Sequence, residues 1–281
     1  MKCRKVVGNI FFCVGILLCS YPFISGMVHR QEQRTVISTY ESNLVQDTKE
    51  MDRVLEKAKE YNRILNDTKG MVVGSFLQKM EGLSDEEYNN QLNITGSGVM
   101  GSLEIPKIDV DLPIYHGTEE NVLSKGVGHL QGSSLPVGEK NTRSILTGHR
   151  GLPNAKLFTR LDELKEGDLF FIRACGETLA YKVNQIEVIK PEEAEKLSVV
   201  SGKDLVSLVT CTPYGINSHR LVVTGERVAY EKEMQDSIKK DLFSLEESIL
   251  IVVMAVLIAA YILCQKRKER KNEIQERKKE N

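Results

Sequence analysis

Apolar and polar positions divide the chain into three textures. Two stretches are uninterrupted apolar runs. Residues 6–28, VVGNIFFCVGILLCSYPFISGMV, hold no charge over 23 positions, which is long enough to cross a bilayer core. Residues 248–264, SILIVVMAVLIAAYILC, form a 17-residue run at the short end of the spanning range. Between 30 and 66, apolar residues recur at Val36, Ile37, Tyr40, Leu44, Met51, Leu55, Ala58, Tyr61 and Leu65. The steps are mostly three, four or seven, and no Gly or Pro interrupts them, so this region predicts one or two amphipathic helices. Residues 67–99 are mixed. They hold a short helical candidate, SDEEYNNQL, with Ser84 as N-cap and Glu87 completing a capping-box pattern, and then a glycine-rich passage, TGSGVMG. From 100 to about 229 the texture changes to short alternating or apolar runs separated by Gly, Pro and Asn turns: GSLEIPKIDVDLPIY, RSILTGH, GDLFFIRACGETLAYKVNQIEVI, DLVSLVTC and HRLVVTGERV. Strands of this length and spacing predict a mainly β domain, an antiparallel barrel or sandwich. Pro106 and Pro113 are expected at strand edges or bulges.

Charge adds a topology. Lys2, Arg4 and Lys5 precede the first run, and a tail with eight basic and four acidic residues follows the second. The positive-inside rule then places both termini in the cytoplasm and residues 29–247 outside the membrane. No small-x-small site closes the first run cleanly, so an uncleaved anchor is expected rather than a signal peptide. A core helix would not usually end in a lysine- and arginine-rich tail, which argues for a second span at 248–264. The formal charge of −1 gives no reason to expect nucleic acid as a partner. The NIT sequon at Asn93 is discounted.

Of the six cysteines, only Cys175 and Cys211 fall in the outer segment. They could form a disulfide, as secreted domains often do. Alternatively, Cys211 stays free because it reacts. It ends the apolar run LVSLVT, and strand ends are where loops expose side chains. A thiolate nucleophile needs a proton partner and an oxyanion stabiliser. His149 ends a similar run, RSILTG, 62 residues earlier, and two strand ends on one barrel rim can meet. Arg220 starts the strand after the 212–219 loop, near Cys211, and an always-charged guanidinium suits a thiolate or oxyanion. His219 and Arg220 point to opposite faces of that strand, so one of them looks into the site. A lone histidine in a β domain is more often structural, which is the default for His116, His129 and His219.

The stretch LVTCTPYGINSHRLVV resembles the sortase signature, and ILTGHRG resembles its TGH segment. The run through LPIYHGT, GVGHLQGSSLPVGEKNT, TGHRGLPNAKLFTRLDEL and TCTPYGINSHRLVVTGERV is similar to class C, the pilin-polymerising sortases of Gram-positive bacteria. The resemblance implies a closed eight-stranded barrel behind amino-terminal amphipathic helices, with a transmembrane helix near each end. It also implies His149, Cys211 and Arg220 as catalytic residues, and no metal or cofactor. The implied reaction is cysteine transpeptidation. An LPXTG-like signal is cut between Thr and Gly, held as a thioester and passed to a pilin lysine amine. His129 and Thr210 are taken as substrate-binding residues, His129 because GHLQGSSLP resembles a stretch near the family's active-site rim.

The expected organisation is a cytoplasmic amino-terminus with an anchor or signal segment at 1–28, an extracellular helical region with a lid-equivalent segment at 29–99 and the catalytic barrel at 100–230. A linker at 231–247, a transmembrane helix at 248–264 and a basic cytoplasmic tail at 265–281 follow. One departure stands out. Many class C sortases carry a lid with an Asp-Pro-aromatic motif before the barrel. This chain has no proline between Pro22 and Pro106 and no tryptophan, so that motif is absent and an open site is expected. Three rival readings remain: a sortase that joins proteins to a cell-wall precursor amine, a membrane-tethered cysteine peptidase, and a non-enzymatic assembly subunit.

Overall fold

The structure, a computed structural model, describes residues 2–44, 48–67, 85–152, 155–242 and 245–280. It divides into two units, one of residues 21–241 and one formed by 1–20 with 242–281.

In the larger unit, eight strands close a barrel in the order β1-β2-β3-β4-β7-β8-β6-β5. They are β1 (Val99–Ile105), β2 (Val110–His116), β3 (Val127–His129), β4 (Thr142–Thr147), β5 (Leu169–Ala174), β6 (Glu177–Ile189), β7 (Asp204–Thr212) and β8 (His219–Val228). The all-antiparallel expectation is corrected: β2–β3 and β4–β7 pair in parallel. A parallel pair needs a long crossover, and the 147–204 connection supplies one that itself contains β5 and β6. Side-chain alternation then sorts each strand. Leu146, Val206, Leu208, Leu221 and Val223 face the barrel core, whereas Ile145, Val209 and Val222 face outward. That outer face is covered by Ile189 and by Leu197 of the 3-10 segment Pro191–Leu197. Pro113 pairs with Ser102 of β1 one residue before β2 begins to pair with β3, and Pro106 opens a 3-10 turn after β1.

The amphipathic stretch forms the carboxy-terminal part of α1 (Lys2–Leu44) and then α2 (Thr48–Asp67). Ile37, Tyr40, Leu44, Leu55, Ala58, Tyr61 and Leu65, all on the periodic face, are buried. Polar contacts fix where these helices dock. The Tyr40 hydroxyl donates to Met100 O at 3.0 Å, and the Asn62 amide pairs with both backbone groups of Leu135 at 2.7 and 3.1 Å. The short candidate becomes α3 (Asp85–Asn90), with Tyr88 and Leu92 fully buried in the main core. Its proposed cap, Ser84, and the lid-equivalent residues 68–84 lie outside the described residues. Cys175 and Cys211 are both free, which corrects the disulfide alternative. Cys175 sits in the core, and burial, with Glu177 nearby, pushes its thiol up to about 12.

In the smaller unit, the start of α1 packs on α5 (Leu245–Glu280). Phe12 stacks on Tyr261 with ring centroids 3.8 Å apart, and the Tyr261 hydroxyl and Gln265 amide both donate to Asn9 Oδ1, at 2.7 and 3.0 Å. Helices α1 and α5 are each long and apolar enough to cross a membrane.

Candidate active site

Three strands set the site. β7 pairs with β8 so that Cys211 lies opposite Arg220, with Val209–Val222 and Ser207–Thr224 as the next same-face pairs. β4 pairs with β7 so that Ile145 lies beside Ser207 and Thr147 beside Val209. The offset is 62 residues, and the rail continues past the end of β4. Gly148 N–H donates to Val209 O at 3.1 Å, and Thr210 Oγ1 donates to Gly148 O at 2.8 Å. On the far side of His149, Arg150 Nη1 reaches Thr212 Oγ1 at 3.4 Å. His149 is therefore level with Cys211, and the three residues form one row across β4, β7 and β8. The row lies on the outer face, above the apolar patch of Ile145, Val209 and Val222.

Local sequence explains the precision of the row. Gly148 is required because a Cβ there would meet the Phe158 ring at 2.8 Å. Phe158 in turn donates its N–H to His149 O at 3.0 Å and fixes the histidine backbone. Gly151 has φ +83° and lies under the Tyr214 ring, where a side chain would be both strained and obstructed. Cys211 is partly exposed, as an attacking thiol must be. Arg220 Nη1 donates to the carbonyls of Asn217 and His219, both at 3.1 Å, which holds the guanidinium at the mouth of the 213–218 loop. A partly exposed thiol, an imidazole level with it and a cation across the ladder can carry acyl transfer through a thioester.

The sortase domain model matches residues 103–228, the stretch that contains the whole row. The structure of sortase C1 from Streptococcus agalactiae is 44% identical, with a TM-score of 0.64, and the likeness covers 70% of this chain and 100% of that one. The chain belongs to the sortase family. Sortase C of Streptococcus pneumoniae, a structure described in terms of catalysis and pilin substrate specificity, is 38% identical with a TM-score of 0.60, covering 70% of this chain and 97% of that one. Sortase D of Bacillus subtilis is 34% identical over 132 residues, 46% of this chain and 63% of that protein. The structural neighbours include class C sortases, and this sortase is a cysteine transpeptidase.

The two residues taken as substrate-binding have other positions. His129 is fully buried, and its polar neighbours define one tautomer. Its Nε2 donates to Ser134 O at 2.9 Å, and the Tyr88 hydroxyl lies 2.9 Å from both its Nδ1 and its backbone oxygen, which share the hydroxyl proton. The Tyr88 oxygen accepts the Gly117 N–H at 3.0 Å. Burial drives the His129 pKa down to about 4. Both ring nitrogens are committed within the fold, and the ring is fully buried. Thr210 points into the barrel and is also buried; its hydroxyl holds Gly148 and so sets the height of His149. His116 bonds to the carbonyls of Gln91 and Gly98 at 2.7 and 3.2 Å. His219 pairs with Thr212 and meets Ser218 Oγ, on the face opposite the row.

Two residues near the row escaped sequence reasoning. Glu120, the first residue of the helical turn α4 (Glu120–Leu123), places Oε2 3.0 Å from His149 Nε2. Nothing periodic links positions 29 apart, so no signal in the sequence marks that contact. Arg150, which joins Asp162 and Thr212, was visible as the residue beside His149 and on the opposite parity.

Proposed function

We propose that this sortase polymerises pilin subunits, and that His149, Cys211 and Arg220 carry the chemistry. Cys211 attacks the Thr carbonyl carbon of an LPXTG-like signal as the thiolate, and Arg220 steadies the tetrahedral oxyanion. Collapse breaks the Thr–Gly C–N bond. The imidazolium of His149 gives its proton to the leaving glycine nitrogen, and a thioester remains on Cys211. A lysine amine of the next pilin then attacks the thioester. His149 takes its proton, the C–S bond breaks, and the product is an isopeptide bond with the thiolate restored. One amide is exchanged for another, so the cycle needs no outside energy source.

The observation that supports this reading is the shared row: strand register, continued by the Gly148 hydrogen bonds to Val209 and Thr210, brings residues 149, 211 and 220 level on the outer face. Class C neighbours at 38–44% identity support pilin as the substrate class. The proposed topology places the barrel outside the cell and both termini in the cytoplasm, with the first apolar segment retained. The Asn9–Tyr261–Gln265 cluster supports it, because it joins the beginning of one apolar helix to the end of the other, as two antiparallel spans require.

The test uses the full chain in detergent, wild type and Cys211→Ala, with an LPXTG-type peptide and a purified pilin subunit, read by mass spectrometry. A thioester on Cys211 in wild type alone, followed by pilin–pilin isopeptide ladders, is the expected result. A thioester resolved only by a cell-wall precursor amine, or only by water, would replace pilin polymerisation with wall attachment or hydrolysis.

A further inference from the structure

We propose that Glu120 is a positioning residue for His149, making the site a Cys–His–Glu constellation with Arg220 opposite. The proposal rests on the reading of His149 as the acid–base. The carboxylate Oε2 stands 3.0 Å from Nε2, so in the neutral ring the Nε2 proton is directed at Glu120 and Nδ1 is left as the basic nitrogen. That is the division of labour a proton-transferring imidazole needs: one nitrogen anchored, the other working.

Both partners have fixed backbones. His149 is held by Gly148 on the Val209 rail and by Phe158. The α4 turn is held by Leu123, which is buried and lies against Gly128, where an added Cβ would meet it at 2.9 Å. Val122 and Leu123 close the turn by donating to Glu119 O, both at 2.9 Å, and Gln33 of α1 donates to Lys125 O at 3.0 Å just beyond it. The Glu120 side chain is 78% exposed and that of His149 25% exposed, so in the free enzyme solvent screens the pair. A pilin seated over the row would exclude that solvent and strengthen it.

The other charged or titratable groups around His149 are few and assigned. Cys211 is its reaction partner on β7, and Arg220 faces it from β8. Arg150, next in the chain, is engaged with Asp162 and Thr212. Glu119 is the N-cap residue of the α4 turn through its backbone oxygen, with no side-chain cap hydrogen bond. Glu120 is the group whose charge is aimed at the ring. It holds the ring through Nε2 while the other nitrogen exchanges a proton during the cycle.

The test compares wild type, Glu120→Gln, Glu120→Ala and His149→Ala, as full-length chains in detergent, in a peptide-to-amine transpeptidation assay. Glu120→Ala is expected to lower kcat about three- to tenfold with KM within twofold, and Glu120→Gln, which keeps a hydrogen-bond acceptor, to recover part of it. A loss confined to kcat, partly rescued by Glu120→Gln, separates a positioning role from a merely structural one. If kcat is unchanged in both Glu120 variants while His149→Ala abolishes turnover, the proposal fails and the proposed function stands. If His149→Ala itself keeps turnover, the acid–base reading fails and takes this proposal with it.

Discussion

His129 of β3 pairs with Leu146 of β4, three residues before His149, yet the two histidines have opposite surroundings. His129 ends β3 in a dry pocket, where Ser134 O takes its proton and the Tyr88 hydroxyl supplies the other hydrogen bond. His149 stands two residues beyond β4, partly exposed, with one nitrogen on an exposed carboxylate. The first environment stabilises a single neutral tautomer and resists proton uptake. The second lets an imidazole gain and lose a proton during a cycle. Sequence already favours His149, at the end of RSILTG, as the reacting histidine; solvent access and the commitment of the ring nitrogens supply the physical contrast.

The strongest way to break the comparison is to remove the reacting groups. Cys211→Ala should abolish acyl-enzyme formation by mass spectrometry, a loss of at least about 10⁴-fold in kcat. His149→Ala and Arg220→Ala should each cost on the order of 10²–10⁴-fold. His129→Gln, by contrast, should lower the melting temperature while leaving kcat per folded enzyme within a few-fold. Equal losses of kcat at 129 and 149 would erase the distinction.

Stability sharpens the same contrast. Tyr88→Phe removes the hydroxyl that joins the partly buried Gly117 N–H to His129 and leaves the buried Nδ1 without its partner. Denaturant titration should show a loss of about 2–4 kcal/mol, with kcat unchanged.

The pH dependence of stability follows from the lowered His129 pKa. Folded His129 titrates near 4, against about 6.5 in the unfolded chain. As pH falls from 6.5 to 4 the unfolded state takes up the proton first, so this residue withdraws on the order of 3 kcal/mol of stability across that window. Asp204 opposes it. Burial raises its carboxyl to about 6, so its contribution is present at low pH and is lost as pH rises through 6. The whole-protein curve mixes the two, and the informative quantity is the difference between wild type and His129→Gln. That difference should shrink steadily as pH drops from 6.5 to 4; a difference independent of pH would mean that His129 is not held neutral.

Much of this was legible beforehand. The collar helices could be read because Ile37, Tyr40, Leu55, Ala58, Tyr61 and Leu65 keep helical spacing, and burial on one face is what that spacing encodes. The active row could be read as far as its members, since strand ends and a short return loop bring Cys211 and Arg220 together. Strand direction was not legible, because alternation looks the same in parallel and antiparallel pairs. The fate of His129 was not legible either. Its burial depends on Tyr88, 41 residues away on a six-residue helix, whose side chain closes over it.

The smallest expected effect concerns the segment before the barrel, and the structure changes how it must be tested. Removing all of 67–95 would delete Tyr88 and Leu92, both fully buried, and two such truncations cost several kcal/mol. A change in activity would then report a loosened core and not an uncovered site. The clean deletion is 68–84, bridged by a short flexible linker between Asp67 of α2 and Asp85 of α3. It spares the Tyr88–His129–Gly117 network and the docking of Asn62 on Leu135. Without an Asp-Pro-aromatic plug there is no side chain of that type to withdraw from Cys211. The deletion should therefore leave the rate of thiol alkylation at Cys211 and kcat/KM on a soluble peptide within about twofold. A several-fold rise in both, with the melting temperature unchanged, would mean that 68–84 covers the row by other residues and that the open-site expectation is wrong.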